Sequence, residues 1–461
     1  MTKPRFCACA PNVCSAVVSC RTPTVHKNNK KRDAQMSHQY RWQICTLLFF
    51  ATTINYLDRQ VLGLLKPLLE QQFHWSETDY SYLVIVFQAC YAGGLLIFGK
   101  LIDRLGTKLG YGLCITVWSI AAIGHAAAQS TLSFMYMRAL LGLGESGNFP
   151  AAIKAVSEWF PKNERALAVG ILTSGTSVGA ILAPACVPWL AATYGWESAF
   201  IITGLTGFVW LVFWKIFYQS PAAHPRISPS ELAYINQDTH IEPVDKVKWA
   251  DLLKLRSTWV FVTGKFLTDP IWWFMLFWLP SYFSSRFDLD LKHLGLPLMI
   301  VYCATSIGSV GGGWLSSRMI SAGWSTTKAR NSAMLFMAIL VLPIGFSSYI
   351  DNMWVMVGLL SLAAAAHQGW SANLFTTVAD NFPRSQVASV MGIGGTAGSV
   401  GGMIFPLIVG IVLQHYKALE NLTLGYNLIF IVCASSYLTA WIIMRLMANR
   451  GAPLLQVPLK S

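Results

Sequence analysis

Stretches of about 20 mostly apolar residues, the length an α-helix needs to cross the roughly 30 Å hydrocarbon layer of a bilayer, recur along almost the whole chain. Twelve are legible, near residues 43–68, 81–98, 109–128, 131–156, 166–190, 199–217, 257–283, 296–317, 329–348, 354–378, 388–413 and 424–447. In lipid every backbone N–H and C=O must be satisfied within the protein, so only helices and closed barrels span, and segments of this length fit helices. Composition agrees: 12% of the 461 residues are charged, against roughly 25% in a soluble domain. The sequence therefore predicts an all-α membrane protein with twelve transmembrane helices.

One long polar interruption, Tyr218 to Arg256, splits the spans six and six. Basic residues then set the orientation. With the N-terminus inside, 25 of the 34 Lys and Arg fall on inside segments and span ends there, three on outside loops (Arg286, Lys292, Lys417) and six within spans. Both termini are expected in the cytoplasm, and the net charge of +13 reads as topology rather than as a nucleic-acid surface. The expected division is a 36–217 half, a 218–256 cytoplasmic linker, a 257–447 half and a 448–461 tail. Residues 1–35 carry Cys7, Cys9, Cys14 and Cys20 without an apolar stretch. They read as an extension or an overlong start ahead of Met36, and the cysteines there lack metal-ligand spacing.

The halves repeat one another. Phe160-Pro161 recurs at Phe382-Pro383, an offset of 222 that also pairs Glu158 with Asp380, Ala166 with Ala388, Gly170 with Gly392, Ser177-Val178-Gly179 with Ser399-Val400-Gly401 and Pro184 with Pro406. A second echo sets Gly99-x-x-x-Asp103-Arg104 against Gly313-x-x-x-Ser317-Arg318, at offset 214. Two six-span halves related by a parallel repeat are a transporter architecture, with the substrate site near the midplane between them.

Ionisable residues deep in spans need a partner or a purpose, because each costs about 2.5–3.5 kcal/mol at the bilayer centre on insertion scales. Span 1 contains Asn55-Tyr56-Leu57-Asp58-Arg59, span 4 contains Arg138 and Glu145, span 7 contains Lys265 and Asp269 at helical ion-pair spacing ahead of Pro270, and span 10 contains His367-Gln368. Two mid-membrane guanidiniums, Arg59 and Arg138, suit a carboxylate ligand because Arg stays charged and offers a two-pronged fork. Asp58 and Glu145 at the same depth suit proton carriage. Tyr56, Gln88, Tyr91, His367, Gln368 and Asn373 are candidates to read substrate hydroxyls, or simply to bridge helices. Lys154 and Lys215, near inner span ends, are expected to snorkel. The cysteines within spans read as small core residues. Metalloprotease, nucleotide-loop, hydrolase and dinucleotide motifs are absent, and no enzyme activity, cofactor or metal is expected.

Gly99-Lys-Leu-Ile-Asp103-Arg104-Leu-Gly106-Thr-Lys108 resembles the loop 2–3 signature of the major facilitator superfamily. The N-Y-x-D-R of span 1 with R-x6-E in span 4 resembles its anion:cation symporter family. Leu105-Gly-Thr-Lys-Leu-Gly-Tyr111, Lys154-Ala-Val-Ser-Glu-Trp-Phe-Pro161 with Glu164-Arg165, and His367-Gln368 are similar to the hexuronate transporters of that family. The resemblance runs from about Arg41 to the end of span 12. It implies the major facilitator fold and a monomeric inner-membrane proton symporter for sugar acids working by alternating access. Arg59 and Arg138 would hold the substrate carboxylate, Asp58 and Glu145 would carry protons, Tyr56 and Tyr91 would line the cavity, and Gly99, Asp103 and Arg104 would form the gating loop. In span 7 Lys265 and Asp269 stand where the hexuronate pattern has Arg and Glu, and Lys lacks the Arg fork. Phe375 and Gly395 depart from the galactonate pattern. Another aldonate, an aldarate or a small organic acid is the alternative substrate, and a transporter-like sensor the alternative role.

Overall fold

The computed structural model describes residues 40–75, 77–238, 249–287 and 295–449; the readings for residues 1–35 and 450–461 lie outside them. Among the described residues the chain is helical, with no strand. In order, α1 is Tyr40–Phe73, α2 Glu77–Leu105, α3 Thr107–Gly124, α4 Thr131–Glu145, α5 Asn148–Trp159, α6 Lys162–Tyr194 and α7 Trp196–Phe217. Short linker helices α8, Pro229–Ile235, and α9, Trp249–Leu252, follow. The second half holds α10 Arg256–Phe287, α11 Gly295–Ser321, α12 Thr326–Val341, α13 Met353–Asn381, α14 Val387–Ala418 and α15 Leu422–Asn449. With α4 and α5 counted as one broken span, these make twelve crossings in two six-helix halves.

Three spans depart from the expected continuous helix: the third tightens into a 3-10 turn over His125–Ala127 at its end, and two others change at a proline. Span 4 breaks at Ser146-Gly147 because Pro150, four residues on, supplies no N–H to the Ser146 carbonyl and its ring crowds that carbonyl. Asn148 is pinned there by Tyr111 Oη, 2.5 Å from its Oδ1. The ninth span ends its α-helix at Val341 and tightens into a 3-10 helix over Leu342–Tyr349 at Pro343. Pro270 does not interrupt α10, which runs through it.

Eight of the spans are apolar enough to cross by composition alone: 82–105, 107–127, 162–194, 196–217, 296–321, 326–347, 387–416 and 422–448. The four that are not, α1, the α4–α5 pair, α10 and α13, carry the mid-span charges Asp58, Arg59, Arg138, Glu145, Lys265 and Asp269 and the amides Gln368 and Asn373. A helix shielded from lipid by its neighbours can afford polar residues, and α13 is buried almost throughout from Ala363 to Thr376.

The sequence repeat is visible as matching contacts between the halves. A Cβ at Gly99 on α2 would run into the Ala388 carbonyl on α14, and one at Gly313 on α11 would run into the Ala166 carbonyl on α6. Gly99 and Gly313, and Ala166 and Ala388, are repeat partners, so one close approach is the image of the other. The reverse contacts, Gly392 on Leu95 and Gly170 on Ser309, obey the same relation. Small residues let these backbones meet, and α2 with α14 and α6 with α11 form the seams on which the halves meet.

Charged groups tie the end of the bundle that carries most of the basic residues. Asp103, at the end of α2, accepts from Lys154 Nζ at 2.8 Å and from the Ser389 N–H at 2.7 Å, at the start of α14 in the other half. Lys154, expected to snorkel, is buried and also donates to the Ile102 carbonyl at 3.2 Å. Arg165 on α6 donates to the Ala379 carbonyl and to Asp380 on α13, at 2.7 and 3.2 Å. Arg330 on α12 holds the other Asp380 oxygen at 3.1 Å and the Lys162 carbonyl at 2.6 Å. Glu158 and Asp380, paired by the repeat, thus both anchor this end, Glu158 by accepting from Thr107 and Tyr218 at 2.7 and 2.6 Å. Arg104 is exposed. The linker adds a further clasp: the Lys162 N–H bonds Asp238 at 2.9 Å, and Arg384 of the other half reaches Asn236 at 3.4 Å. Of the span cysteines, Cys45, Cys114 and Cys433 are buried as expected, whereas Cys186 and Cys303 are exposed.

Candidate functional site

Between the halves lies a cavity of about 90 Å³. It is narrower than the roughly 300–1,000 Å³ of ordinary ligand clefts, so the walls must part further to admit a sugar-sized ligand. One side is built by Tyr56 and Arg59 of α1, Tyr91 and Leu95 of α2, Phe149 and Pro150 of α5 and Thr173 and Thr176 of α6. The other is built by Lys265, Asp269, Trp272 and Trp273 of α10, His367, Gln368, Ser371 and Phe375 of α13, and Met391, Gly395 and Ser399 of α14. Phe149 and Phe375 meet across the halves with ring centres 5.5 Å apart.

Arg59 is the central cation on the first side. Its Nε donates to Glu145 Oε2 at 2.8 Å. Its guanidinium sits 4.8 Å from the ring centres of both Tyr56 and Tyr91 and 5.2 Å from that of Phe87. Tyr56, three residues before Arg59, shares its helical face, and the aromatic faces stabilise a cation that has left water. Among the described residues the Arg59 Nη2 has no partner, and neither does Glu145 Oε1. Half the fork is therefore held and half is free.

Arg138 lies behind this cage, 5% exposed, with its guanidinium 5.6 Å from the same Phe87 ring. Among the described residues its Nε has no partner, and no carboxylate stands within ion-pair distance of it. Glu145 is committed to Arg59 rather than to Arg138, although both lie on α4. Asp58 is 2% exposed, and neither carboxylate oxygen has a hydrogen-bond partner; it is not among the groups lining the cavity. An unpaired buried cation at mid-membrane is a standing invitation to an anion.

On the opposite side Lys265 Nζ and Asp269 Oδ2 are 2.5 Å apart, and Nζ lies 4.5 Å from the Phe375 ring centre. His367 stacks on Trp272, centres 5.4 Å apart and planes 3° from parallel, with Nδ1 2.5 Å from Tyr437 Oη. That contact fixes the ring and leaves Nε2 as its other polar atom.

Of the residues the sequence singles out, Tyr56, Arg59, Tyr91, His367 and Gln368 line the cavity; Asp58, Gln88, Arg138, Glu145 and Asn373 do not. Asn373 bridges helices instead, its amide donating to the carbonyls of Gly312 and Gly369, both at 2.9 Å. Gly99, Asp103 and Arg104 belong to the seam and the basic end. Beyond Tyr56 and Tyr91, the aromatic lining is what sequence reasoning missed. A signal existed: Trp272 and Trp273 follow Asp269 by three and four residues, and Ser371 and Phe375 follow Gln368 by three and seven, so each set shares a face. Nothing in the sequence marks Phe149 as their counterpart in the other half.

The model of the Major Facilitator Superfamily matches residues 48–406. Among curated relatives, the hexuronate transporter of Escherichia coli strain K12 is 29% identical over 418 residues, covering 89% of this chain and 95% of the relative. The galacturonate transporter of Dickeya chrysanthemi is 31% identical over 279 residues, covering 60% of this chain and 81% of the relative. Among solved structures, the proton:xylose symporter XylE bound to 6-bromo-6-deoxy-D-glucose superposes with a TM-score of 0.69 at 14% identity, covering 89% of this chain and 96% of that one, a likeness of fold.

Proposed function

This chain belongs to the Major Facilitator Superfamily, a multi-pass membrane transporter rather than an enzyme, and on that footing we propose that it is a proton-coupled symporter importing hexuronates such as glucuronate and galacturonate across the cytoplasmic membrane by alternating access. The observation that carries the reading is Arg59: a caged, half-paired guanidinium at the cavity wall, with the unpaired Arg138 behind it. The relatives named for hexuronate and galacturonate transport support the choice of acid.

The substrate carboxylate takes the free side of the Arg59 fork, and Arg138 adds long-range attraction. Tyr56, Tyr91, Gln368 and the Nε2 of His367 read hydroxyls, while Trp272 and Trp273 offer flat surface to the sugar's C–H face. As the anion draws Arg59 toward itself, Glu145 loses its partner. A carboxylate stranded in a buried site is costly unless it takes a proton, so anion and proton move together. Asp58, buried without a partner, is the second proton-holding group. With the basic end in the cytoplasm, the Asp103, Arg165 and Arg330 ties close the inner gate in the conformation described, and inward opening has to break them.

Uptake of labelled glucuronate into proteoliposomes under an imposed inward proton gradient tests this, with galacturonate and galactonate as competitors. Accumulation that collapses with the gradient, blocked by galacturonate and not galactonate, is the expected result. No uptake by folded protein overturns the hexuronate assignment, and uptake indifferent to the gradient overturns proton coupling.

A further inference from the structure

Lys265 and Asp269 stand apart from the other buried ion pairs among the described residues. Arg59–Glu145 joins α1 to α4, Lys154–Asp103 joins α5 to α2, Arg165–Asp380 joins α6 to α13, and Arg330–Asp380 joins α12 to α13. Each of these returns some of its desolvation cost as helix association. Lys265–Asp269 lies within a single helix, so the ion pair itself joins no two helices, and yet it is nearly buried, with side-chain exposures of 8% and 17%. Ion pairs withdrawn from water at mid-membrane are expensive unless they serve a site. This pair faces the cavity that Arg59 faces from the other half.

We infer that Lys265 and Asp269 form a second anion subsite, which takes the second acid group of a sugar diacid while Asp269 takes up a proton. The inference rests on the sugar-acid reading above and widens its substrate class from monoacids to diacids. Arg59 and Lys265 line one cavity from opposite halves, so a molecule with an acid group at each end can present one group to each cation. The incoming carboxylate replaces Asp269 at Nζ, so one ion pair is exchanged for another. Asp269, left without its cation, accepts a proton from cavity water, and returns it to water when the diacid leaves and Lys265 swings back. The subsite's net charge is then zero both empty and loaded. A diacid accordingly crosses with one proton more than a uronate.

The groups that bear on this exchange come from every wall. Tyr56 and Arg59 face it from α1, Tyr91 from α2, His367 from α13 and Tyr437 from α15. The adjoining stretch of α14 contributes Gly398 and Ser399, neither of which titrates. The Phe375 ring under Lys265 keeps the ammonium stabilised during the swap.

The test uses wild-type protein in proteoliposomes with labelled glucuronate, unlabelled glucarate and galactarate as competitors, and external pH recorded during uptake of each acid. Expected are competition by the diacids at least as strong as by galacturonate, and one extra proton per diacid taken up. The double variant Lys265→Met/Asp269→Asn removes the pair without stranding a charge. Loss of one charge-assisted contact predicts that its diacid-to-uronate potency ratio falls by about tenfold or more. Diacids that fail to compete in the wild type, equal proton counts for the two classes, or an unchanged potency ratio in the double variant each overturn the inference. The first two readouts need no variant and so hold if the double variant does not fold. Failure of wild-type protein to take up glucuronate at all strikes the hexuronate reading instead, because diacid uptake and its proton count are recorded separately.

Discussion

Arg59 Nε and Glu145 Oε2 are 2.8 Å apart across α1 and α4, while the Arg59 Nη2 and Glu145 Oε1 beside them have no protein partner. A pair of this kind is half-satisfied. It holds two helices together and leaves one guanidinium donor without a protein partner among the described residues.

Arg59→Ala leaves Glu145 as an uncompensated buried carboxylate, and breaking a buried pair from one side costs about 3–5 kcal/mol. The melting temperature in detergent should drop markedly. Arg59→Ala/Glu145→Ala should recover most of it while neither variant binds glucuronate. A double variant as unstable as the single one would mean that the stranded charge is not the cause.

Glu145→Gln keeps the shape of the side chain and removes its ability to exchange a proton. Counterflow of glucuronate, which needs no net proton movement, should persist, and accumulation driven by a proton gradient should fall at least about tenfold, equivalent to about 1.4 kcal/mol of lost driving force. Arg138→Ala, which removes long-range attraction for the anion, should weaken apparent affinity and so lower both counterflow and accumulation at a fixed glucuronate concentration. Normal accumulation by the Gln variant would remove Glu145 from the coupling.

Asp103→Asn weakens two bonds that close the basic end, to Lys154 and to the Ser389 N–H. Losing charge-assisted hydrogen bonds of this type shifts a two-state equilibrium by about 1.5–3 kcal/mol. Cysteines placed on the facing surfaces of α2 and α14 should label faster from the cytoplasmic side. Unchanged labelling would show that these bonds do not set the conformation.

Gly99→Val and Gly313→Val push a side chain into the Ala388 and Ala166 carbonyls, where backbone cannot step aside. Both should depress folded yield and transport severely, and to a similar degree because the contacts are repeat images. Size-exclusion profiles of the solubilised variants check this. A harmless Gly313→Val beside a damaging Gly99→Val would show that the two seams are not equivalent in stability.

The sequence announces the spans most clearly where they face lipid. The charged part of the site sits on helices least like membrane helices, α1, α10 and α13 with Glu145 of α4 behind them, and there the intramembrane charges are the clue. Arg59 and His367 were readable because an ionisable residue in an apolar run is conspicuous. Phe149 was not, because an aromatic in a membrane helix is the most ordinary of residues until another helix brings it to a cavity. Lys154 shows the same limit from the other side: at a span end it reads as a snorkelling lysine, and only the packing of α5 on α2 reveals Asp103 as its partner.

Recurring apolar stretches of span length by themselves determined that the chain crosses a membrane as helices, since lipid leaves unpaired backbone no alternative. The repeat offsets determined that it does so in two equivalent halves. What only the tertiary structure decided is which charge answers which. Arg138 and Glu145 share a helix and stand seven residues apart, yet Glu145 turns to Arg59 on a neighbouring helix. Ion pairing depends on distances of about 3 Å between side-chain tips, and those distances are set by how helices lie against one another, a quantity that no single helix's sequence contains.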